Sequence, residues 1–314
     1  MHYFKETKGH LAAIITIFIW GTTFISTKVL LKDFDPIEIL FIRFLLGFLF
    51  LYLIYPKSMG KTTAKQNLTF AFAGLSGVTL YFYLENIALT YSSASNIGVI
   101  VTLSPFFTAI LMWIFAKEKL SQRFFLGFLL SLLGVCLISF NGQQQFQFNP
   151  LGDFLGILAA FLWSCYSVLT RKVSSFPFHV IQSTRRIFFY GLAFMIPILL
   201  FSGFNVTSAK LLLPINFFNL LFLGLGASAI CFVTWGLAIR DLGTVKTSMY
   251  IYLVPVITVL TSVLILKESL TILSFIGIVL SLFGLVLSDT SFSRKTLASK
   301  SRSSEISSTN ADLE

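Results

Sequence analysis

The fold is decided by the segment SPFFTAILMWIFAKEKLS, residues 104–121, which is an apolar run that ends in a Lys-Glu-Lys cluster. The same plan returns 150 positions later as VPVITVLTSVLILKESLT, residues 254–271. With that shift, residues 103–137 align with residues 253–287 without a gap, and thirteen of the 35 positions are identical. Shared apolar composition does not by itself bring a proline, a Lys-Glu pair and three small residues into register. We therefore interpret the two segments as an internal duplication.

The composition indicates that lipid is the solvent for much of the protein surface. Of the 314 residues, 56% are hydrophobic and 11% are charged, against about 25% charged in a typical soluble domain. The net charge of +10 does not point to nucleic acid, because the basic residues lie at the ends of apolar runs. The three cysteines lie within apolar runs without metal-ligand spacing. The sequence therefore predicts no metal, no cofactor and no nucleic-acid partner.

Ten apolar runs approach the length of about 20 residues that a helix needs to cross a membrane. If the N-terminus is cytoplasmic, the connections on that side contain sixteen Lys and Arg residues and those on the other side contain four. The positive-inside rule then places both termini in the cytoplasm of a multi-pass protein of the plasma or inner membrane. The runs cover residues 10–31, 37–55, 68–90, 94–116, 122–140, 151–171, 179–201, 215–239, 244–266 and 271–289.

The duplication divides these runs into two copies of five helices each. Because five is odd, the second copy enters the membrane upside down relative to the first, which is a recurrent plan of secondary transporters. We expect an all-α membrane protein with ten transmembrane helices, arranged as two inverted five-helix repeats around a central cavity. The expected division is a cytoplasmic N-terminus (1–9), the first repeat (10–140), an external linker (141–150), the second repeat (151–289) and a Ser-rich, disordered cytoplasmic tail (290–314).

One long segment carries a resemblance to a known family. ENIALTYSSASNIGVIVTLSPFFTAILMWIFAKEKLS, residues 85–121, resembles the drug/metabolite transporter superfamily, EamA type, with a small-residue turn, a mid-helix proline and a Lys-Glu-x-Leu motif. The resemblance covers residues 8–290, although RDLGTVKTSMYIYLVP at 240–255 departs from the first-half pattern at 90–105. It implies ten helices and transport, often outward, of amino acids, their metabolites, purines, sugar derivatives or drugs.

Charged residues inside the predicted spans are candidates for transport, because a charge in the bilayer interior is costly. Arg43 and Glu85 are expected at similar depth in the outer half of the membrane. They either pair with each other or hold the two ends of a zwitterionic substrate. A third interpretation is that Glu85 caps a water-exposed helix end. On the inner side, Arg186 is favoured over Arg185 as the cavity-facing residue, and the alternative is an anchor at the lipid headgroups.

Aromatic and polar residues complete the predicted cavity wall. Trp20 and Trp163 lie near the centres of their spans, whereas interfacial anchors lie at the ends. Packing remains the alternative for each aromatic residue taken singly. Pro105 and Pro255 are interpreted as hinges. Small residues allow close helix approach and are predicted either to pack the fifth helix against the tenth or to form an oligomer contact: Gly127, Ser131, Gly134, Gly277, Ser281 and Gly284. The other candidate cavity residues are Thr23, Tyr81, Asn86, Asn96, Tyr166, Trp235 and Tyr250.

These observations predict a secondary transporter that exports or exchanges small metabolites, such as amino acids or related amphiphiles, by alternating access. A phosphate-binding loop for ATP is lacking. The alternatives are efflux of drugs or toxic compounds and transport of purines or sugar derivatives. An intramembrane enzyme is disfavoured, because Glu85 is the only acid well placed inside a span. The expected partners are membrane lipids, a small-molecule substrate and either a proton or a counter-substrate, with the protein a monomer or a homodimer.

Overall fold

The computed structural model describes residues 2–92, 94–117, 121–139, 149–257 and 271–288, and every regular element in them is a helix. Seven helices are long and apolar enough to cross a membrane, and three more are apolar but shorter. The prediction of an all-α membrane protein is confirmed, and the count of ten crossings stays a prediction. Residues 141–148 of the predicted linker and the predicted tail at 290–314 lie outside the described residues.

We number the ten apolar helices α1 to α10 in chain order. The shorter ones are α5, α9 and α10. A five-residue helix, Ser208–Leu212, precedes α8. The helices are α1 (His2–Trp20 and Thr23–Leu30), α2 (Pro36–Ile54), α3 (Ala64–Gly74, Leu75–Leu80 and Tyr81–Tyr91), α4 (Ala94–Val101 and Ser104–Ala116), α5 (Gln122–Ser139), α6 (Pro150–Val173), α7 (Val180–Ser202), α8 (Pro214–Leu221, Phe222–Ile230 and Cys231–Leu242), α9 (Thr244–Ile257) and α10 (Ile272–Ser288).

Helices α2 and α7 begin with the same local device. In α2 the backbone N–H of Asp35 donates to Glu38, and Pro36 occupies the first turn. In α7 the backbone N–H of His179 donates to Gln182. Both are capping boxes, which satisfy backbone donors that a helix start leaves unpaired. Glu38 and Gln182 thus occupy equivalent positions in the two helices, and each also makes a hydrogen bond to another segment.

Irregular backbone recurs at equivalent places in the two halves. A π-helical stretch lies in α3 at Leu75–Leu80 and in α8 at Phe222–Ile230. A turn at residues 102–103 divides α4, and a 3₁₀ stretch at Tyr250–Tyr252 lies in α9. Such local departures from the α-helix are frequent at functional sites. Here they lie next to the central cavity described below.

The two prolines predicted as hinges follow these irregular stretches. Pro105 lies in the first turn of the second part of α4, directly after the turn at 102–103. Proline is tolerated at that position because its missing N–H would have no helical partner there. Pro255 follows the 3₁₀ stretch of α9. Pro105 therefore marks a break between two helical parts, where we expected a kink within one continuous helix.

Helices α5 and α10 pack against each other through their small residues. A Cβ atom added to Gly127 would lie 2.5 Å from the Gly284 carbonyl oxygen, and one added to Gly134 would lie 2.5 Å from the Gly277 carbonyl oxygen. Earlier positions of α5 thus meet later positions of α10, so the helices run antiparallel. Backbones approach this closely only where side chains are small.

The outside of the helix bundle is apolar and the inside contains polar groups. Leu53 and Phe201 are 77% and 93% exposed. Arg43 and Glu85 are instead buried, as are several Ser and Thr residues. An exposed apolar surface with a polar interior fits a lipid environment, in which the interior houses functional ionisable groups.

Candidate functional site

A central cavity lies between helices from both halves of the chain. Its volume is about 50 Å³, which is room for a few water molecules. A larger solute would therefore require the walls to move. Helices α1, α2, α3, α4, α6 and α9 contribute the lining residues, which are Trp20, Thr23, Thr27, Arg43, Tyr81, Phe82, Glu85, Gly98, Val101, Thr102, Trp163, Ile251 and Val254.

Arg43 is the cation of this cavity and is held by helix α8. Its Nε donates a hydrogen bond to Ser228 Oγ at 3.0 Å. Its guanidinium lies over the ring of Phe82, 4.5 Å from the centroid, an arrangement favourable for a cation on an aromatic face. Gly47 and Gly224 allow α2 and α8 to approach closely, which brings the π-helical stretch with Ser228 to Arg43. The two terminal guanidinium nitrogens make no hydrogen bond within the described residues.

Glu85 is the anion of the cavity and is positioned by Tyr81. The Tyr81 hydroxyl donates to Glu85 Oε1 at 2.7 Å, and the two residues are one helical turn apart directly after the π-helical stretch of α3. The Tyr81 ring packs on Trp163 with a centroid distance of 4.8 Å. Glu85 is thus fixed in the cavity wall, and its second carboxylate oxygen has no hydrogen-bond partner in the described chain.

The two charges share the cavity without forming an ion pair within the part of the chain that the structure describes. Arg43 is held by Ser228 and Phe82, and Glu85 is held by Tyr81. Direct pairing, one of the three sequence-based interpretations, is therefore not found in this geometry. Each charge keeps unused hydrogen-bonding capacity toward the space between them.

Trp20 and Trp163 line one side of the cavity, and Trp235 packs behind them. The Trp20 ring lies 5.1 Å from both Trp163 and Trp235, centroid to centroid. The indole N–H of Trp20 donates to the Ala227 carbonyl at 3.0 Å. The indole nitrogens of Trp163 and Trp235 are buried and have no partner among the described residues. Phe232 packs against Trp20 and Trp163 from α8. The cavity is therefore bounded by flat apolar surfaces.

Comparison with known proteins identifies the chain. The model of the EamA-like transporter family matches it twice, over residues 7–140 and 150–289. The protein belongs to this family. The resemblance that the sequence suggested is thereby confirmed, and the chain is a membrane transporter by family.

Curated relatives of this EamA protein include an uncharacterized transporter of Archaeoglobus fulgidus, 32% identical over 87% of this chain and 94% of the relative. A probable amino-acid metabolite efflux pump of Escherichia coli is 26% identical over 86% of this chain and 91% of the relative. A chain in a crystal structure has the same fold, with a TM-score of 0.74 and 19% identity, covering 92% of this chain and 99% of that one. The two curated relatives are named as a transporter and a probable efflux pump, which is consistent with a protein that is not an enzyme.

The cavity of the EamA protein contains six residues that the sequence singled out, and other candidates lie elsewhere. Trp235 and Tyr166 are buried behind the wall, in contact with Trp163. Asn86 donates to the Pro36 carbonyl at 3.4 Å, and Tyr250 contacts His10. The side chain of Asn96 lies outside the described part. The six that line the cavity are Trp20, Thr23, Arg43, Tyr81, Glu85 and Trp163.

Neither inner arginine lines the central cavity of the transporter. Arg185 donates to the carbonyl oxygens of Tyr55 and Lys57, each at 2.8 Å. Arg186 donates to Asn67 Oδ1 at 3.1 Å. Because α7 packs on α2 and α3, Arg185 reaches the connection between those helices and Arg186 reaches the start of α3. They line a second cavity instead.

Sequence reasoning missed several cavity residues because they are apolar or small. Phe82, Val101, Ile251 and Val254 line the cavity but look like ordinary membrane-helix residues in the sequence. Thr27 was detectable, because it lies one turn beyond Thr23 on the same face of α1. Ser228, the partner of Arg43, has no sequence signal that separates it from other small residues of α8.

Proposed function

We propose that the protein is a secondary transporter that exports or exchanges small zwitterionic amphiphiles, with amino acids and their close derivatives as the substrate class. The observation that carries this proposal is the separation of Arg43 from Glu85 in one cavity. The E. coli relative that is named a probable amino-acid metabolite efflux pump supports the same class.

The wall chemistry suits a molecule with two opposite charges and an apolar body. The guanidinium of Arg43 offers its terminal nitrogens to a carboxylate, with which arginine forms paired, charge-assisted hydrogen bonds. Glu85 offers a carboxylate oxygen to an ammonium group. The apolar body of the substrate would lie against Trp20, Val101 and Val254. Binding such a substrate offsets the cost of holding two unpaired charges inside the membrane.

The transport cycle we propose is alternating access between two inverted five-helix repeats. It is supported by the two family matches, by the recurrence of the π-helical stretches of α3 and α8, and by the antiparallel contact of α5 with α10. In this scheme the two inverted repeats exchange their conformations, and the exchange opens the central cavity to the opposite side of the membrane. Both termini are proposed to be cytoplasmic, and a reporter fused to each end tests this topology.

The second candidate is efflux of apolar or cationic drugs, which the aromatic wall around Trp20 and Trp163 favours. The two candidates differ in what they require of the charges. A zwitterion needs both Arg43 and Glu85, whereas an apolar drug needs neither. A cationic drug needs Glu85 alone.

The deciding experiment measures efflux from cells loaded with labelled amino acids and, separately, with fluorescent drugs. Arg43→Gln and Glu85→Gln are each expected to lower amino-acid efflux about tenfold or more, because hydrogen bonds to charged groups are worth about 1.5–3 kcal/mol. Arg123→Gln is the matched control on an exposed side chain. Amino-acid efflux at the wild-type level in both variants, with equal membrane expression, would refute the zwitterion site. Loss of drug efflux with Glu85→Gln alone would favour the second candidate.

A further inference from the structure

A second cavity lies at the end of α2, away from the central one, and shares none of its lining residues. Its volume is about 190 Å³. Tyr52 and Phe189 in its wall are 51% and 48% exposed, so the cavity is open toward the lipid-facing surface. The full lining is Phe48, Tyr52, Ser58, Met59, Gly60, Thr62, Gln182, Arg185, Arg186 and Phe189.

The polar part of this cavity is rich in hydrogen-bond donors and positive charge. Two of its lining residues are arginines, and none of the described lining residues is acidic. Arg185 is buried and donates to the carbonyl oxygens of Tyr55 and Lys57 at the end of α2. Its charge is therefore held by backbone oxygens and not by a carboxylate.

Arg186 is the less satisfied of the two arginines. One of its terminal nitrogens donates to Asn67 Oδ1 at 3.1 Å, and Asn67 also accepts from Thr62. The Nε atom of Arg186 is buried and has no hydrogen-bond partner among the described residues. Leaving a buried donor of a charged group unpaired is costly. The second terminal nitrogen of Arg186 donates to no acceptor among the described residues either, and an anion in the cavity would supply one.

We propose that this second cavity binds an anionic phosphate group at the membrane surface, carried by the headgroup of an anionic phospholipid. Arg186 lies in the wall of this cavity, and its guanidinium has the fork of donors that suits phosphate oxygens. The exposed rings of Tyr52 and Phe189 lie where the acyl chains of that lipid would pass. Basic pockets between transmembrane helices are a known mode of headgroup recognition. The proposal is independent of the substrate proposed for the central cavity.

The test measures the thermal unfolding midpoint of the purified protein in detergent after addition of phosphatidylglycerol, phosphatidylcholine or inorganic phosphate. Phosphatidylglycerol is expected to raise the midpoint of the wild type more than phosphatidylcholine does. In Arg186→Gln the concentration of phosphatidylglycerol needed for the same shift is expected to rise about tenfold, because the variant loses one hydrogen bond between a charged donor and the phosphate. Arg123→Gln, an exposed arginine outside the cavity, is the matched control and is expected to respond like the wild type.

A second variant covers the case in which Arg186→Gln does not fold. Ser58→Glu places a carboxylate in the exposed connection at the cavity wall and is expected to abolish the phosphatidylglycerol response by repulsion. An Arg186-dependent shift with inorganic phosphate and none with the lipid would keep the phosphate site and overturn the lipid as its source. An equal response of the wild type, Arg186→Gln and Ser58→Glu would overturn the proposal, as would an equal loss in Arg123→Gln.

Discussion

Ser131 and Ser281 each donate a side-chain hydrogen bond to the backbone carbonyl of the other, at 3.2 Å and 3.3 Å. The two residues are 150 positions apart, which is the offset of the sequence repeat. A residue that bonds to its own repeat counterpart in both directions lies on or near an axis that relates the two copies. The contact between α5 and α10 is therefore the place where the proposed two-fold symmetry is most directly visible in the hydrogen bonds.

This contact predicts a strong size limit on the glycines of α5. Gly134→Val places side-chain atoms against the Gly277 carbonyl and Ser281, and overpacking of this kind typically costs about 1–3 kcal/mol. Thermal unfolding in detergent is expected to show a lower midpoint for this variant. Leu133→Val on the exposed side of the same helix is the control. A midpoint equal to that of the control would mean that α5 and α10 do not pack as closely as described.

The separate partners of Arg43 and Glu85 predict the outcome of a charge exchange. In the double variant Arg43→Glu with Glu85→Arg, the new carboxylate lies beside the Phe82 ring, which favours a cation. The new guanidinium lies beside the Tyr81 hydroxyl, which in the wild type donates to the carboxylate of Glu85. We expect amino-acid efflux to stay as low as in either single variant. Recovery of efflux toward the wild-type level would show instead that the two charges act as a direct pair.

Ser228 is predicted to position Arg43 without touching the substrate. Ser228→Ala removes the acceptor of the 3.0 Å hydrogen bond from Nε. Since a hydrogen bond to a charged group is worth about 1.5–3 kcal/mol, we expect the apparent KM for efflux to rise about tenfold while the maximal rate changes less. Ser175→Ala on an exposed serine serves as the control. An unchanged KM would remove Ser228 from the site.

The sequence repeat and the positions of the charged residues predicted the helix packing more fully than they predicted the residues of the cavity. The 150-residue offset aligned the small residues of α5 with those of α10 and so predicted which faces carry them. This prediction needs only the alignment of the two segments and no knowledge of side-chain packing. The cost of charge in lipid picked out Arg43 and Glu85 as cavity candidates. The same argument placed Arg186 in the cavity, where it is not, because neighbouring helix positions diverge by about 100° and only helix packing decides which neighbour each one meets.

Apolar lining residues escaped prediction for a related reason. A membrane helix is apolar on its lipid face and on its cavity face alike, so Phe82 or Val254 has no pattern that separates the two environments. Tyr250 was placed in the cavity because of its type, whereas α1 approaches α9 closely enough for His10 to contact it. Contacts between distant helices depend on crossing angles that one sequence does not encode in a simple period.

The starts of α2 and α7 make similar hydrogen bonds to connections of the other half of the chain. These contacts predict how the cavity opens at each end of this helix pair. At the start of α2, Glu38 Oε1 accepts from the backbone N–H of Asn205, in the connection after α7. At the start of α7, Gln182 Nε2 donates to the carbonyl of Ser58, in the connection after α2, at 2.8 Å. Each capping-box side chain thus ties its own helix to a connection of the other half, at opposite ends of an antiparallel pair.

Removing one tie is expected to favour opening at that end alone. A reporter cysteine, Thr23→Cys, in a background without Cys136, Cys165 and Cys231 is labelled with a membrane-impermeant maleimide from either side of sealed vesicles. Glu38→Ala is expected to raise the labelling rate from the side where α2 begins, and Gln182→Ala from the side where α7 begins. The two variants control for each other, because general loosening of the bundle would raise both rates in both. Equal labelling from the two sides in each variant would therefore contradict separate ties at the two ends.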